Sequence, residues 1–122
     1  PPREYSSAAS DVYKRQHDLT PILREPTAQV RDHVLVEEDQ LFDLAGLGQP
    51  LRMRTIVTSD TRLTRYAGSS KGELYDLTTD TDEMHNLDAD PGSASLRATT
   101  MEHLADSLID HADRDRRPEF MA

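Results

Sequence analysis

Alternating apolar and polar positions predict four β-strands in the middle of the chain. The first is the β-branched run at 33–38. The next two, at 52–58 and 62–66, are rich in Thr, Ile, Leu and Tyr, and the short polar turn 59–61 between them is typical of an antiparallel hairpin. A fourth strand is predicted at 73–77. We therefore expect one small antiparallel sheet of about four strands.

A helical period follows the strands. Asp90 and Pro91 form a helix-start signal, with Asp as the N-cap and Pro at the first helical position. Apolar residues then recur at intervals of three and four and form one stripe along a helix. The predicted stripe consists of Ala94, Ala98, Met101, Leu104, Ala105, Leu108, Ile109 and Ala112. The fold class is therefore α+β, a small antiparallel sheet with a C-terminal amphipathic helix.

The ends of the chain lack these periods. Residues 1–16 are polar and small, and they are similar to translated adapter sequence at the edges of metagenomic reading frames, so we expect a non-native or flexible leader. Because residue 1 is Pro, we expect the native start to lie upstream. Residues 17–32 are predicted to be a connector from a missing main domain, in which two prolines interrupt any helix. We place the folded subdomain at 33–113 and a flexible tail at 114–122.

Composition narrows the classes of function. Apolar residues make up 35% of the 122 and charged residues 30%, with a mean hydropathy of −0.72, so the chain is lean for a self-sufficient core. A net charge of −9 without a basic patch argues against nucleic-acid binding. No apolar run approaches the roughly 20 residues of a membrane span. With no cysteine, disulfides, thiolate metal sites and cysteine nucleophiles are excluded within this sequence.

One continuous motif resembles the closing signature of the sulfatase family, in the alkaline-phosphatase-like superfamily. That signature is an E-L-Y-D-L strand, then D-P-x-E-x-x-N-L, then a last helix. The matching residues here are Glu73, Leu74, Tyr75, Asp76 and Leu77, followed by Asp80, Glu83, Asn86 and Leu87. Residues 54–58 and 62–64 resemble the family's R-T hairpin, and 18–24 resembles the segment that leaves its main domain. The match covers roughly 18–113 and departs from the family at Thr81, where Pro is usual.

The same motif predicts a short helical turn. Asp80 is placed to accept from backbone N–H groups, and Glu83, three residues on, is placed to reach back to the N–H of Asp80. The turn is expected to close near Asn86 and Leu87.

The resemblance implies a large α/β domain with the active site, followed by a small sheet and a helix. It implies hydrolysis of sulfate esters of a small molecule or glycan, a formylglycine nucleophile made within a C/S-x-P-x-R motif, and a divalent cation, usually calcium. No C/S-x-P-x-R match occurs in this sequence. We therefore expect a parent sulfuric ester hydrolase, whose N-terminal catalytic domain is the partner of this inactive part. A related phosphoesterase or phosphonate hydrolase, and a free-standing α+β interaction module, are the alternatives.

Candidate metal ligands have ordinary structural explanations. The acidic residues around 76–90 lack the ligand order of a calcium loop, and Asp80 and Asp90 are better explained as helix caps. His103 and His111 are two helical turns apart, too far for a common ion, and we expect all five histidines to be solvated or locally hydrogen-bonded. We predict no catalytic residue, metal ligand or cofactor within this chain.

Arginines of the hairpin are the remaining candidates. Guanidinium groups suit sulfate or carboxylate, but pairing with the surplus acid is the simpler interpretation. The four are Arg52, Arg54, Arg62 and Arg65. If any residue here contacts substrate, we expect Arg54 and Glu37, at strand edges.

Overall fold

The computed structural model describes residues 17–44 and 46–112, which fall into two units, 17–31 and Asp32–Ala112. The predicted leader 1–16 and tail 114–122 lie outside the described residues. The first unit contains a short helix, α1 (Thr20–Arg24). The prediction that proline interrupts any helix here is wrong for these five residues. Pro21 lies in the first turn, where its missing N–H has no intrahelical partner to lose.

The second unit contains the predicted sheet. Four strands lie in the order β1-β2-β3-β4, and every neighbouring pair is antiparallel. They are β1 (His33–Asp39), β2 (Arg52–Thr58), β3 (Thr61–Tyr66) and β4 (Gly72–Asp76). The number and sequence of strands are as predicted, with ends that differ by a residue.

A row of apolar side chains crosses one face of the sheet. The register places Leu35 opposite Ile56, Ile56 opposite Leu63, and Leu63 opposite Leu74. Ile56, Leu63 and Leu74 are completely buried. Because alternate residues of a strand share a face, this row forms the sheet's half of the core.

The C-terminal helix supplies the other half of the core. A single 3-10 turn (Pro91–Ser93) begins at the predicted start after Asp90 and leads into α2 (Ala94–His111), but the Asp90 side chain makes no capping hydrogen bond to the backbone. The carboxylate of Asp90 accepts from the Ser93 hydroxyl at 2.7 Å. Leu104 is 4% exposed and belongs to the core cluster, and Leu96, Met101 and Leu108 pack around it.

The predicted stripe is only partly correct. Its outlying members Ala94, Ala98, Ala105, Ile109 and Ala112 are exposed. The line that faces the sheet instead includes two polar residues, Thr100 and Ser107, which are 5% and 2% exposed. The Thr100 hydroxyl donates to the Leu96 carbonyl at 2.8 Å, and a satisfied hydroxyl of this kind tolerates burial.

Residues 77–90, between β4 and the 3-10 turn, are all described and form turns and irregular structure rather than the predicted helical turn. Glu83 adopts a left-handed backbone with φ of 54°, which interrupts helical geometry. The Asp80 carboxylate accepts from the N–H groups of Met84 and His85, at 3.0 and 2.8 Å. The Glu83 side chain lies beside Arg62 instead of reaching back to Asp80.

Within the Asp32–Ala112 unit, α2 covers one face of the sheet. On the other face, at the edge strand β1, Val34 and Val36 are 39% and 42% exposed. The loop after β1 adds four exposed apolar side chains, Leu41, Phe42, Leu44 and Leu47. Neither helix of the described residues is long and apolar enough to cross a membrane.

Candidate functional site

Residues 86 and 87 of the motif form hydrogen bonds with the backbone of the edge strand β4. The Asn86 side chain accepts from the N–H groups of Leu74 and Asp88, both at 3.0 Å, and donates to the Gly72 carbonyl at 3.0 Å. The backbone N–H of Leu87 donates to the Leu74 carbonyl at 2.8 Å. Unpaired backbone groups of an edge strand are thereby satisfied. These motif residues maintain the fold.

Asp88 is a structural anchor that the sequence did not reveal. Its carboxylate is 8% exposed and accepts from Gly72 N at 2.8 Å and from Arg97 Nε at 2.9 Å. Arg65 Nη1 lies 3.6 Å from the same carboxylate. Gly72 permits this approach, because a Cβ there would lie 3.3 Å from Asp88 Oδ1 and 2.7 Å from Arg65 Nη1. Asp88 therefore joins β3, β4 and α2.

The two predicted substrate contacts lie side by side. Glu37 and Arg54 face each other across β1 and β2, with Arg54 Nε 2.8 Å from Glu37 Oε1. Arg54 also donates twice to Asp39, through Nη1 at 2.8 Å and Nη2 at 3.2 Å. This hydrogen bonding lowers the pKa of Asp39 and raises the pKa of Arg54. The geometry is that of a bidentate carboxylate–guanidinium pair.

Beside this pair lies a groove of about 470 Å³ between the sheet and α2. Its floor is apolar, and its rim carries charged groups. The floor includes Met101, Leu104 and Leu108, and the rim includes Asp39, Arg52, Arg54 and Arg65. The rim arginines already contact carboxylates, so an anion entering the groove would compete with Asp39 for Arg54.

The remaining hairpin arginine is also paired. Arg62 Nη2 lies 2.7 Å from Glu73, and its Nε lies 3.1 Å from Glu83 without the alignment of a hydrogen bond. The guanidinium sits 5.1 Å from the centre of the Tyr75 ring. Tyr66 donates to Glu73 at 2.8 Å, and burial raises its pKa. All four arginines contact acidic residues, as the ion-pairing interpretation predicts.

A second polar cluster joins the start of β1 to α2. His33 Nδ1 lies 2.7 Å from Asp32 Oδ1, and His33 Nε2 lies 2.9 Å from Ser107 Oγ. The ring of His103 lies edge-on to that of His33, with centroids 4.7 Å apart. The hydrogen bond with His33 lowers the pKa of Asp32. Sequence reasoning missed this cluster because its β1 end and its α2 residues share no motif and are far apart in sequence, with His33 and Ser107 separated by 74 positions.

No protein-family model matches this sequence, and no curated protein matches it significantly. Solved structures do match. A protein from Bacteroides thetaiotaomicron VPI-5482 that is assigned to the sulfatases superposes with a TM-score of 0.67 at 24% identity, over 80% of this chain and 20% of that one. A protein in complex with its substrate D-glucosamine-2-N,6-O-disulfate gives 0.61 at 22% identity, with the same two shares. A 2-O GAG sulfatase gives 0.63 at 24%, over 76% of this chain and 19% of that one.

The chain thus spans about a fifth of the length of the structures that it matches. The small four-stranded sheet and terminal helix that the resemblance implies are present. The chain therefore shares its fold with about a fifth of each of these structures.

Proposed function

We propose that this chain is the non-catalytic C-terminal subdomain of a sulfatase-like enzyme whose catalytic domain hydrolyses sulfate esters. The observation that carries the proposal is the superposition of 80% of this chain onto about a fifth of much longer sulfatase structures. The motif residues support it, because Asn86 and Leu87 bind the backbone of β4 and act in the fold rather than in chemistry.

The chemistry of the parent is assigned to residues outside this sequence. A formylglycine nucleophile requires the C/S-x-P-x-R motif, which this sequence lacks. The acidic residues near β4 do not fit a calcium site, because Asp80 accepts from backbone N–H groups and Asp88 is held by Arg97 and Gly72. Calcium prefers about six to eight oxygen ligands, such as a dedicated calcium-binding loop supplies, and these carboxylates are already engaged by other groups. We therefore derive no catalytic step from these residues.

The partner that we propose is the catalytic domain of the same polypeptide. Val34 and Val36 expose apolar surface at the edge of the sheet, and Leu41 and Phe42 are 84% and 72% exposed. Several exposed apolar side chains within one stretch of the chain are what a surface covered by another domain would leave. The lean composition of the chain agrees with a core completed by contact with that domain.

We further propose that Arg54 and Glu37 form part of the edge of the substrate cleft. Arg54 is held at a groove by Glu37 and Asp39, so its guanidinium has a fixed direction before a ligand arrives. Two of the matched structures are described by sulfated sugar chemistry, a disulfated glucosamine and a 2-O GAG. A sulfated glycan is accordingly the substrate class that we propose for the parent.

The full-length polypeptide provides the test. It should hydrolyse aryl sulfates or sulfated glycans in preference to the matching phosphate esters. Preferential phosphate or phosphonate hydrolysis would instead support the phosphoesterase alternative. Arg54→Ala should raise KM for a sulfated glycan with little change in kcat, whereas Lys71→Ala, an exposed cation outside that groove, should leave both unchanged. Equal KM values for the two variants would remove Arg54 from the cleft.

Hydrogen–deuterium exchange tests the domain contact. Amides of 34–47 should exchange more slowly in the full-length protein than in the 122-residue chain, because the catalytic domain would cover them. The hairpin turn at Ser59 and Asp60, which is exposed in the structure, is the internal reference. Identical exchange over 34–47 in the two proteins would favour the free-standing module.

A further inference from the structure

We propose that Asp32, His33 and His103 form a binding site for a zinc-class transition-metal ion that joins the start of β1 to α2. One ligand atom from each of the three residues lies within 4.8 Å of the other two. Asp32 is exposed and both histidines are half-buried, so the site is at the surface and open to an ion.

The distances require only side-chain adjustment. Zinc binds imidazole nitrogen at about 2.0–2.1 Å and carboxylate oxygen at about 2.0–2.2 Å, which places tetrahedral ligands about 3.4 Å apart. Asp32 Oδ1 and His33 Nδ1 are already 2.7 Å apart and must separate slightly. A ligand nitrogen of His103 already lies within 4.8 Å of a ligand atom of each of the other two residues. Rotation of the 78%-exposed Asp32 side chain supplies part of this freedom.

Ser107 provides the orientation that a metal-binding histidine needs. Metal ligands of this type usually donate their second ring N–H to a fixed acceptor, which sets the tautomer. His33 Nε2 lies 2.9 Å from the hydroxyl of Ser107, a residue only 2% exposed in α2. With Nε2–H donating to Ser107, a bound ion would replace the proton that His33 Nδ1 shares with Asp32, and the Nδ1 lone pair would then be free to bind the metal. We therefore assign Nδ1 as the ligand atom of His33.

The donor set selects the class of metal. Two imidazoles and one carboxylate suit zinc, cobalt, nickel and copper ions, and they leave a fourth position for water. Calcium and magnesium prefer oxygen ligands and are disfavoured here. An ion held by the start of β1 and by α2 would fasten the edge strand to the helix.

A nucleophilic triad is the competing interpretation of these contacts. Asp32, His33 and Ser107 are hydrogen-bonded in the order that serine hydrolases use. The serine, however, is buried within the helix, so its hydroxyl has no access to a substrate carbonyl. A nearby histidine, His111, has its Nδ1 2.7 Å from the Ser107 carbonyl and is not one of the three ligands.

Cobalt absorption and zinc calorimetry on the 122-residue chain test the site. Cobalt(II) should give the visible absorption of a low-coordinate site, and zinc should displace it at one ion per chain. His103→Ala should abolish the absorption, with His103→Gln as a second variant if the first loses its circular dichroism spectrum. Ser107→Ala should weaken zinc binding by about 10–100-fold, because it removes the partner of His33.

His85→Ala is the matched control, since its side chain is 83% exposed in the turn after β4. It should leave the affinity unchanged, and His111→Ala should have a smaller effect than His103→Ala. A native chain that gives no cobalt absorption overturns the proposal. So does a His103→Ala variant that binds zinc as the native chain does, or a His85→Ala variant that loses binding equally.

Discussion

Replacement of Leu104 by aspartate should detach α2 from the sheet. Leu104 is 4% exposed and lies in one cluster with Ile56, Leu63 and Leu74, which are completely buried. The change removes an apolar side chain from the centre of this cluster and places a carboxylate there. The described residues offer a small core, so few other contacts are left to hold the helix in place.

The magnitude follows from two contributions. Truncation of a buried leucine typically lowers the free energy of unfolding by about 2–5 kcal/mol. Burial of an unpaired carboxylate adds a further cost, or forces the group out into solvent and the helix with it. Small domains have a total free energy of unfolding of about 5–15 kcal/mol. The substitution is therefore comparable with the whole stability of the subdomain.

Circular dichroism and limited proteolysis compare Leu104→Asp with Glu102→Ala, an exposed position two residues away on α2. Leu104→Asp should lose helical signal and become sensitive to cleavage within 94–111, and Glu102→Ala should behave like the unsubstituted chain. Both are best measured in the chain and in the full-length protein. Equal stability of the two variants would refute the packing of α2 on the sheet.

Four further outcomes are expected. Asn86→Ala should lower the free energy of unfolding by about 1–3 kcal/mol, since it removes three hydrogen bonds at β4, whereas exposed Asp82→Ala should not; equal chemical denaturation midpoints would contradict this. Hydrogen bonds from the backbone N–H groups of Met84 and His85 lower the pKa of Asp80 below 3.8 in the folded chain. The stabilisation that ionised Asp80 contributes is therefore complete above pH 3.8 and is lost as the pH falls through the lower pKa of the folded state. Asp80→Asn should accordingly weaken the acid dependence of the free energy of unfolding, measured against pH. The chain should self-associate in sedimentation experiments, and less so with Phe42→Ser, because Phe42 is 72% exposed; a clean monomer with a sharp melt would count against this. The chain alone should hydrolyse no aryl sulfate, and turnover that survives repurification and is lost with chelator would disprove this.

The local elements could be predicted because their signals are local. Strand periods, the Ser59–Asp60 turn and the proline at the helix start depend on a few neighbouring residues, and all appear as expected. The predictions were wrong where tertiary contacts determine which residues are buried. From the sequence, Ser107 is expected on the exposed polar side of α2, yet it is buried, and its hydroxyl is hydrogen-bonded to His33 of β1.

Some contacts of the candidate site could be predicted from the sequence and others could not. That Glu37 and Arg54 are cross-strand neighbours follows from strand alternation and register once the strands are correctly paired. Asp88 gave no such signal, because its partners Arg65 and Arg97 lie on different elements. The helical turn expected after Asp80 failed because Glu83 pairs with Arg62 of β3 and adopts a left-handed backbone. Contacts of this kind depend on the assembled fold and leave no periodic trace.

The genomic DNA upstream of this coding sequence tests the central claim most directly. Our account predicts a continuous reading frame for a large α/β domain that contains a C/S-x-P-x-R motif. Mass spectrometry of the encoded protein should find formylglycine at the first residue of that motif. An upstream domain with an unmodified Ser or a Thr nucleophile, or one unrelated to sulfatases, would contradict the account.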